Sequence, residues 1–412
     1  MASSDMTSSG KLPFDGIKIA DFSWVWVGPT STKYLADHGA TVVRVESLTR
    51  PDIIHSLGPF KDRRAAPTRT HAFSDFNTSK LGLTLNLKIP EATEIAKRLI
   101  SWADVYLESF TPGTMAGFGI DYETARRLNP SIIMVSTCLM GQTGPASQFA
   151  GYGFHAGAVA GFYDITGWPD LAPDGPWTAY TDVVTPRILS AIIIAAVDHR
   201  RRTGQGQYID ASQLEMGLQF LAPQIFDYTA NNHQVTRNGN RSSFAAPQGA
   251  YPCAGEDQWC AIAIENDEEW LALRRVLDNP DWARDNRFAS NPGRLENHDE
   301  IDGYISQWTA GLPPQEVMRL CQAEGVPAGV VQRSSDLFQD PQLAHRGMFP
   351  ELDDPEVGRV PHTGHLFDIR GYDHGPRFAA PVFGQHNEQI LKELLGMTDD
   401  EMTEAIIAGG LE

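Results

Sequence analysis

Between residues 17 and 137 short apolar runs alternate with amphipathic ones, and this limits the fold more than any other feature of the chain. "IKIADF" (17–22) reads as a buried strand, and Gly28-Pro29 opens a helix that ends near His38, where Gly39 offers the left-handed residue after a helix. "TVVRVE" (41–46) is a second strand, "EATEIAKRLI" (91–100) an amphipathic helix and "ADVYLES" (103–109) a strand. A helix over 122–129 and the apolar strand "SIIMVST" (131–137) follow. Strands joined by helices of this length pair in parallel, with helices on both faces of the sheet. The expected fold class is therefore α/β, a Rossmann-like large domain with a parallel sheet.

The most apolar run, 188–197, is about half the ~20 residues that cross a bilayer, and no membrane partner is expected. Past it, "HRRR" and Gly204 close a helix; "QYIDASQLE" gives a short strand and a capping box, Ser212 to Glu215, that opens a long helix. Composition turns polar and Asn/Gly-rich near residue 230, and "GAYPCAGEDQWCAIAIEN" has the alternation of a hairpin. The expected domains are 1–225 (with 1–11 a loose tail), a small α+β domain over 226–335, and a segment over 336–412 that returns to the large domain.

Charge narrows the partners. The chain carries 52 acidic against 33 basic residues, a formal net charge of −19, which opposes nucleic acid as a partner. Cys138, Cys253, Cys260 and Cys321 show neither CxxC nor a metal-ligand pattern, so they read as reduced thiols in a cytoplasmic protein and no metal is expected. The turn after the first strand, "SWVWVGPTST", lacks the glycines that let backbone approach a pyrophosphate, and neither nicotinamide nor flavin is expected. Walker loops, H-E-x-x-H and G-x-S-x-G are missing too.

One carboxylate stands out. Asp182, in "TAYTDVVTPRIL", precedes the apolar run, where an acid either caps a helix or reacts at its mouth. Thr185-Pro186 offers its own cap with proline at the first helical position, which starts the helix there and leaves Asp182 outside it.

With those residues in view, the chain resembles the family III CoA-transferases, the CaiB/BaiF type. "DFSWVWVGPTSTKYLADHGATVVRVES", "NTSKLGLTLNLK", "ADVYLESFTPGTMAGFGI", "GQTGP", "GYGFHAGAVAGFYDITG", "RRTGQGQYIDASQLE", "GVPAGVV", "DPQLAHRG" and "GQHNEQILKELLG" carry it in order, over nearly the whole chain from Leu12. The resemblance implies a CoA-transferase whose catalytic aspartate, Asp182, forms an aspartyl anhydride and then an aspartyl-CoA thioester. It implies an interlocked dimer, as a homodimer or with a paralogous subunit. It assigns Val25, Trp26, Val27, Lys80, Ser109, Phe110 and Thr114 to coenzyme A and Tyr152 to the substrate site. Two frequent arginines are replaced by Leu81 and Gly117, leaving Arg44, Arg50, Arg63 or Arg64 to meet the CoA phosphates.

The α-methylacyl-CoA racemases of the same superfamily pair their aspartate with a histidine, because moving a proton at Cα takes two groups. That position is Tyr152 here, with His155 three residues on, which favours the transferase over the racemase alternative. A non-catalytic paralogous subunit is the other alternative. Trp24, Trp26, Phe154 and Phe244 suggest an aromatic-lined pocket for a bulky acceptor acid such as benzylsuccinate, with succinyl-CoA as donor.

Overall fold

The computed structural model describes residues 12–372 and 375–412; the tail expected at 1–11 lies outside the described residues. Six strands make one parallel sheet: β1 (Lys18–Asp21), β2 (Thr41–Glu46), β3 (Leu81–Thr84), β4 (Val105–Glu108), β5 (Ile133–Cys138) and β6 (Gln207–Ser212). Their order is β3-β2-β1-β4-β5-β6, so the winding reverses between β1 and β4. In such sheets a ligand crevice opens at the carboxyl ends of the strands flanking that reversal.

Side chains alternate across the strands, and each face has its own core. Phe22, Tyr106 and Met134 pack with Ile95 and Leu99 of the helix Pro90–Trp102 on one face. On the other, Ile19, Val105, Leu107 and Val135 meet Leu35, Leu189 and Ile193. The last three come from the helices Val27–Asp37 and Tyr180–Thr203, which lie side by side. Ser190 Oγ donates to the Ser31 carbonyl at 3.2 Å, and Ser31 Oγ to that of Pro186 at 3.4 Å. Each helix follows a strand's carboxyl end or its loop, so both begin at the crevice side of the sheet.

The helix carrying Asp182 starts earlier than Thr185-Pro186 suggests. It runs from Tyr180 with Pro186 inside it, and Ala179 is its N-cap without a side-chain bond. A proline this near the start removes one N–H, the partner of the Asp182 carbonyl, and the packing of the other 23 residues outweighs that loss. By length and composition this helix could cross a membrane, yet half of its most apolar window is buried within the protein. The long helix expected after Ser212 is also broken: Gln213–Leu218, a 3-10 turn, then Ala222–Asn231, which has Pro223 in its first turn.

The chain divides into two compact units. One comprises residues up to Tyr163, Gly175–Gln234 and Gln342–Glu412; the other comprises Asp164–Asp174 and Val235–Pro341. The main part of the small unit thus starts at 235 rather than at the expected boundary of 226 and ends at 341 rather than 335, and the unit takes in an earlier segment that no local signal marks. Its antiparallel sheet, β7 (Gln248–Pro252), β8 (Trp259–Ala263) and β9 (Ala328–Val330), covers a core of Ile262, Trp270, Phe288 and Ile305.

Candidate active site

Asp182 is the third residue of its helix, in the first turn, where the helix dipole favours negative charge. Its side chain does not cap that helix. It reaches to two other elements: Gly153 N donates to Oδ2 at 3.2 Å, and Gln213 Nε2 donates to Oδ1. Each carboxylate oxygen therefore has one neutral donor, and no cation pairs with the group among the described residues. Asp182 is 7% exposed, and burial pushes its carboxyl up to about 6 against the opposing pull of the Gln213 and Gly153 bonds.

Local sequence sets both donors. Gly153 begins the helix Gly153–Val159 directly after Tyr152. A Cβ on Gly153 would stand 2.6 Å from Asp182 Cγ, so only glycine lets the amide come this close. Thr181 Oγ1 donates to the Gly153 carbonyl at 3.0 Å and ties the same residue to the Asp182 helix. Gln213 is the first residue of its short helix, fixed by Ser212, whose hydroxyl accepts from Glu215 N at 3.3 Å. Sequence reading missed Gly153 and Gln213; the capping box beside Gln213 marked a helix start, but nothing local says that its amide faces Asp182.

A second group gathers at the winding reversal. Trp24 N donates to Ser109 Oγ at 2.7 Å, and the Trp24 and Phe110 rings meet edge-on at 5.1 Å, which joins the loops after β1 and β4. Val25 holds φ at +65°, a strained value for a β-branched residue. Buried Asp52 supports that turn: its Oδ2 accepts from Val25 N at 2.8 Å and from Arg44 at 2.7 Å, while its Oδ1 accepts from Ile54 N at 3.0 Å. Arg44 also donates to the Ser23 carbonyl. Trp26 caps the helix that begins at Val27 and lies against Phe76 at 4.6 Å. Thr114 opens the short helix Thr114–Gly117, its hydroxyl 3.2 Å from that of Thr111. Val25, Trp26, Val27, Ser109 and Phe110 are thus brought to one end of the sheet, with Thr114 just beyond.

Lys80 is not available to a phosphate. It is fully buried, and its three donors go to Asp21 Oδ2 at 3.0 Å, the Pro29 carbonyl at 2.8 Å and Asn77 Oδ1 at 2.9 Å. Burial draws the ammonium down to about 8 while Asp21 holds it charged. Burial alone would raise Asp21, but Lys80, Arg44 and the Ser23 and Thr32 hydroxyls bring it below its ordinary value. Lys80→Met strands Asp21 and is expected to cost about 3–5 kcal/mol in urea unfolding; a loss under about 1 kcal/mol would contradict this internal role. Arg44 is buried and paired in the same way, whereas Arg50, Arg63 and Arg64 make no ion pair among the described residues. Arg50 lies 5.8 Å from the Trp24 ring, at the winding reversal.

The aromatic residues expected to line a pocket stand in different surroundings. Trp24 and Trp26 spend ring faces and edges on Phe110 and Phe76. Tyr152 and Phe154, either side of Gly153, are half exposed. Phe244 belongs to the small unit, where it is 64% exposed and its carbonyl accepts from Asn291 at 2.7 Å. His155 Nδ1 accepts from Tyr152 N at 3.2 Å. Among the described residues no three His, Cys, Asp or Glu side chains form a metal-holding group, and all four cysteines are free thiols.

A carboxylate that is buried, uncompensated and held by neutral donors can attack an acyl carbon itself. Carboxylates serve as the nucleophile in one class of acyl-transfer centre, in place of a hydroxyl or thiol. The chain belongs to CoA-transferase family III: the family model matches residues 14–387. It is 30% identical over 390 residues to the succinyl-CoA–D-citramalate CoA-transferase of Chloroflexus aurantiacus, covering 95% of this chain and 96% of that one. It is 31% identical over 386 residues to the succinate–glutarate CoA-transferase of Agrobacterium fabrum, covering 93% and 96%. The probable CoA-transferase Rv1866 of Mycobacterium tuberculosis is 32% identical over 406 residues, 97% of this chain, which spans 50% of that longer protein. A crystal structure of a CaiB/BaiF family protein from Brucella suis superposes with a TM-score of 0.85 at 30% identity, over 93% of this chain and all of the other. The protein is a family III CoA-transferase.

Proposed function

We propose that Asp182 is the nucleophile that carries CoA from an acyl-CoA donor to a carboxylic acid. The observation that carries this is its burial with one neutral donor on each oxygen and no cation. The carboxylate attacks the thioester carbonyl, the C–S bond breaks, and CoA leaves as thiolate from a mixed anhydride. The thiolate then attacks the Asp182 carbonyl, releasing the donor's carboxylate and leaving aspartyl-CoA. The acceptor carboxylate runs the same steps in reverse, with no net proton transfer. Whichever Asp182 oxygen bonds to the acyl group, the other keeps a donor, Gly153 N–H or Gln213 Nε2–H, that steadies the oxyanion formed when thiolate attacks. A carboxyl at about 6 is more basic than an ordinary aspartate yet about nine-tenths anionic at pH 7. Low exposure protects the anhydride from water.

Succinyl-CoA as donor and a dicarboxylic acid as acceptor agree with the activities for which the citramalate and glutarate relatives are named. Benzylsuccinate is a dicarboxylic acid too, and the half-exposed Tyr152 and Phe154 beside Gly153 favour testing it with the smaller diacids. Arg50, Arg63 and Arg64 are the cations open to the CoA phosphates. A cytoplasmic site suits four free thiols. A dimer suits the helix Ala222–Asn231, none of whose residues is buried while Ile225, Phe226 and Tyr228 are exposed; light scattering showing only monomer would remove it.

The nucleophile is tested by incubating the protein with succinyl-CoA, adding hydroxylamine, and mapping peptides by mass spectrometry. A hydroxamate on Asp182 is expected. Its absence under conditions where CoA exchange proceeds would overturn the assignment.

A further inference from the structure

The amide next to the one that meets Asp182 holds a histidine. Tyr152 N donates to His155 Nδ1 at 3.2 Å, and the next amide, Gly153 N, donates to Asp182 Oδ2 at 3.2 Å. Successive backbone nitrogens are at most ~3.6 Å apart, so imidazole and carboxylate lie within about 10 Å of one another across a single residue. The ring is fixed as well as near. It rests on Gly151, where a Cβ would come within 3.0 Å of Cγ and Nδ1, and the Phe149 ring meets it edge-on at 6.3 Å.

The contact with Tyr152 settles the tautomer. A ring nitrogen that faces a backbone N–H must present a lone pair, so the proton of the neutral imidazole is on Nε2. Nε2–H has no hydrogen-bond partner among the described residues, and the side chain is exposed. The structure thus keeps an oriented, unspent donor on a ring held within about 10 Å of the Asp182 carboxylate. The Asp182 donors, Gly153 N and Gln213 Nε2, serve the reacting carboxyl; His155 makes no bond to it. The His155 donor matches a group several bonds along the acyl chain.

We propose that His155 selects the substrate by donating Nε2–H to the far carboxylate of a dicarboxylic acid whose near carboxyl is joined to Asp182. The inference rests on the nucleophilic reading of Asp182 and adds the residue that distinguishes a diacid from a monoacid. An N–H aimed at a carboxylate forms a charge-assisted bond that an alkyl end cannot form. A four- or five-carbon diacid has the length to span the two groups.

The test compares glutarate with pentanoate, and succinate with butyrate, as acceptors in the wild type and two variants. His155→Asp keeps an acceptor for Tyr152 N–H but replaces the donor with a negative charge. His155→Asn keeps both an acceptor and an outward N–H. The wild type is expected to prefer each diacid. His155→Asp should lower kcat/KM for the diacids about 10- to 100-fold, with little change for the monoacids. His155→Asn should stay within a few fold on all four. Equal losses on diacids and monoacids in His155→Asp, or an unchanged diacid preference, would overturn the proposal. Hydroxylamine trapping in the same variants separates the two readings: an Asp182 adduct in His155→Asp together with lost diacid preference supports both. With no adduct even in the wild type, the nucleophile assignment fails instead.

Discussion

Asp182→Asn is expected to lose at least about 10⁴-fold in kcat while melting at a higher temperature than the wild type. The two effects share a cause. The folded carboxyl sits at about 6, above its ordinary 3.8, because burial disfavours the anion more than the Gln213 and Gly153 bonds favour it. Ionisation therefore opposes folding. The penalty is absent below about pH 4, grows as pH rises towards 6, and is constant above, at about 3 kcal/mol. Asparagine removes it without stranding a partner: its Oδ1 accepts from Gly153 N, and the Gln213 amide turns its oxygen to the new NH₂. The gain in stability should then be full at pH 8 and vanish near pH 4. Wild-type kcat/KM should fall about tenfold per pH unit below 6 as the nucleophile is protonated. Thermal melts at pH 4, 6 and 8, with a pH–rate profile, check both. Retained turnover, or lower stability at pH 8, would contradict this account.

The sequence poses a choice between a capping and a reacting Asp182, and the fold removes the first, since the side chain does not cap its helix. Thr185-Pro186 fits the usual start of a helix, and the rule behind that reading is sound where nothing else supports the chain. Here the helix packs against Val27–Asp37 through Ser31, Pro186 and Ser190, and tertiary contact overrides the local signal. Asp182 falls inside the first turn, and its side chain answers to Gly153 and Gln213, 29 and 31 residues away. Separations of that size leave no periodic trace.

The sheet was more legible, because burying both faces demands continuous apolar runs, and "TVVRVE" is β2 residue for residue. β3 escaped because it is only "LGLT": Gly82 keeps no side chain where Pro381 approaches, a Cβ there coming within 2.8 Å. Lys80 shows the opposite failure. A lysine in a polar segment reads as surface, but its partner Asp21 is 59 residues back and both are fully buried. Exposure is a property of the fold, and a lysine can be judged free for phosphate only once its neighbours are known.

Gly153→Ala tests whether this chemistry depends on position rather than on the presence of its groups. The alanine keeps the amide N–H, and the glycine's backbone is not in the left-handed region, so the substitution removes no donor and adds no strain of φ. In a helix the change would, if anything, favour folding. What it adds is a methyl 2.6 Å from Asp182 Cγ and 2.7 and 2.8 Å from its oxygens, distances real atoms do not keep. The carboxylate must move, and Gln213 and Thr181, bonded to the same cluster, limit where it can go. A displacement of about 1 Å costs on the order of 10²-fold in rate. The expected result is a folded protein with kcat down about 100-fold, slower hydroxamate formation on Asp182, and binding of CoA little changed. Gly217→Ala is the control: its Cβ would come no nearer than 3.0 Å, to the Thr181 methyl, and touches no atom of Asp182. It should cost far less. Equal losses from the two alanines would mean that general crowding, and not the placement of the nucleophile, sets the rate.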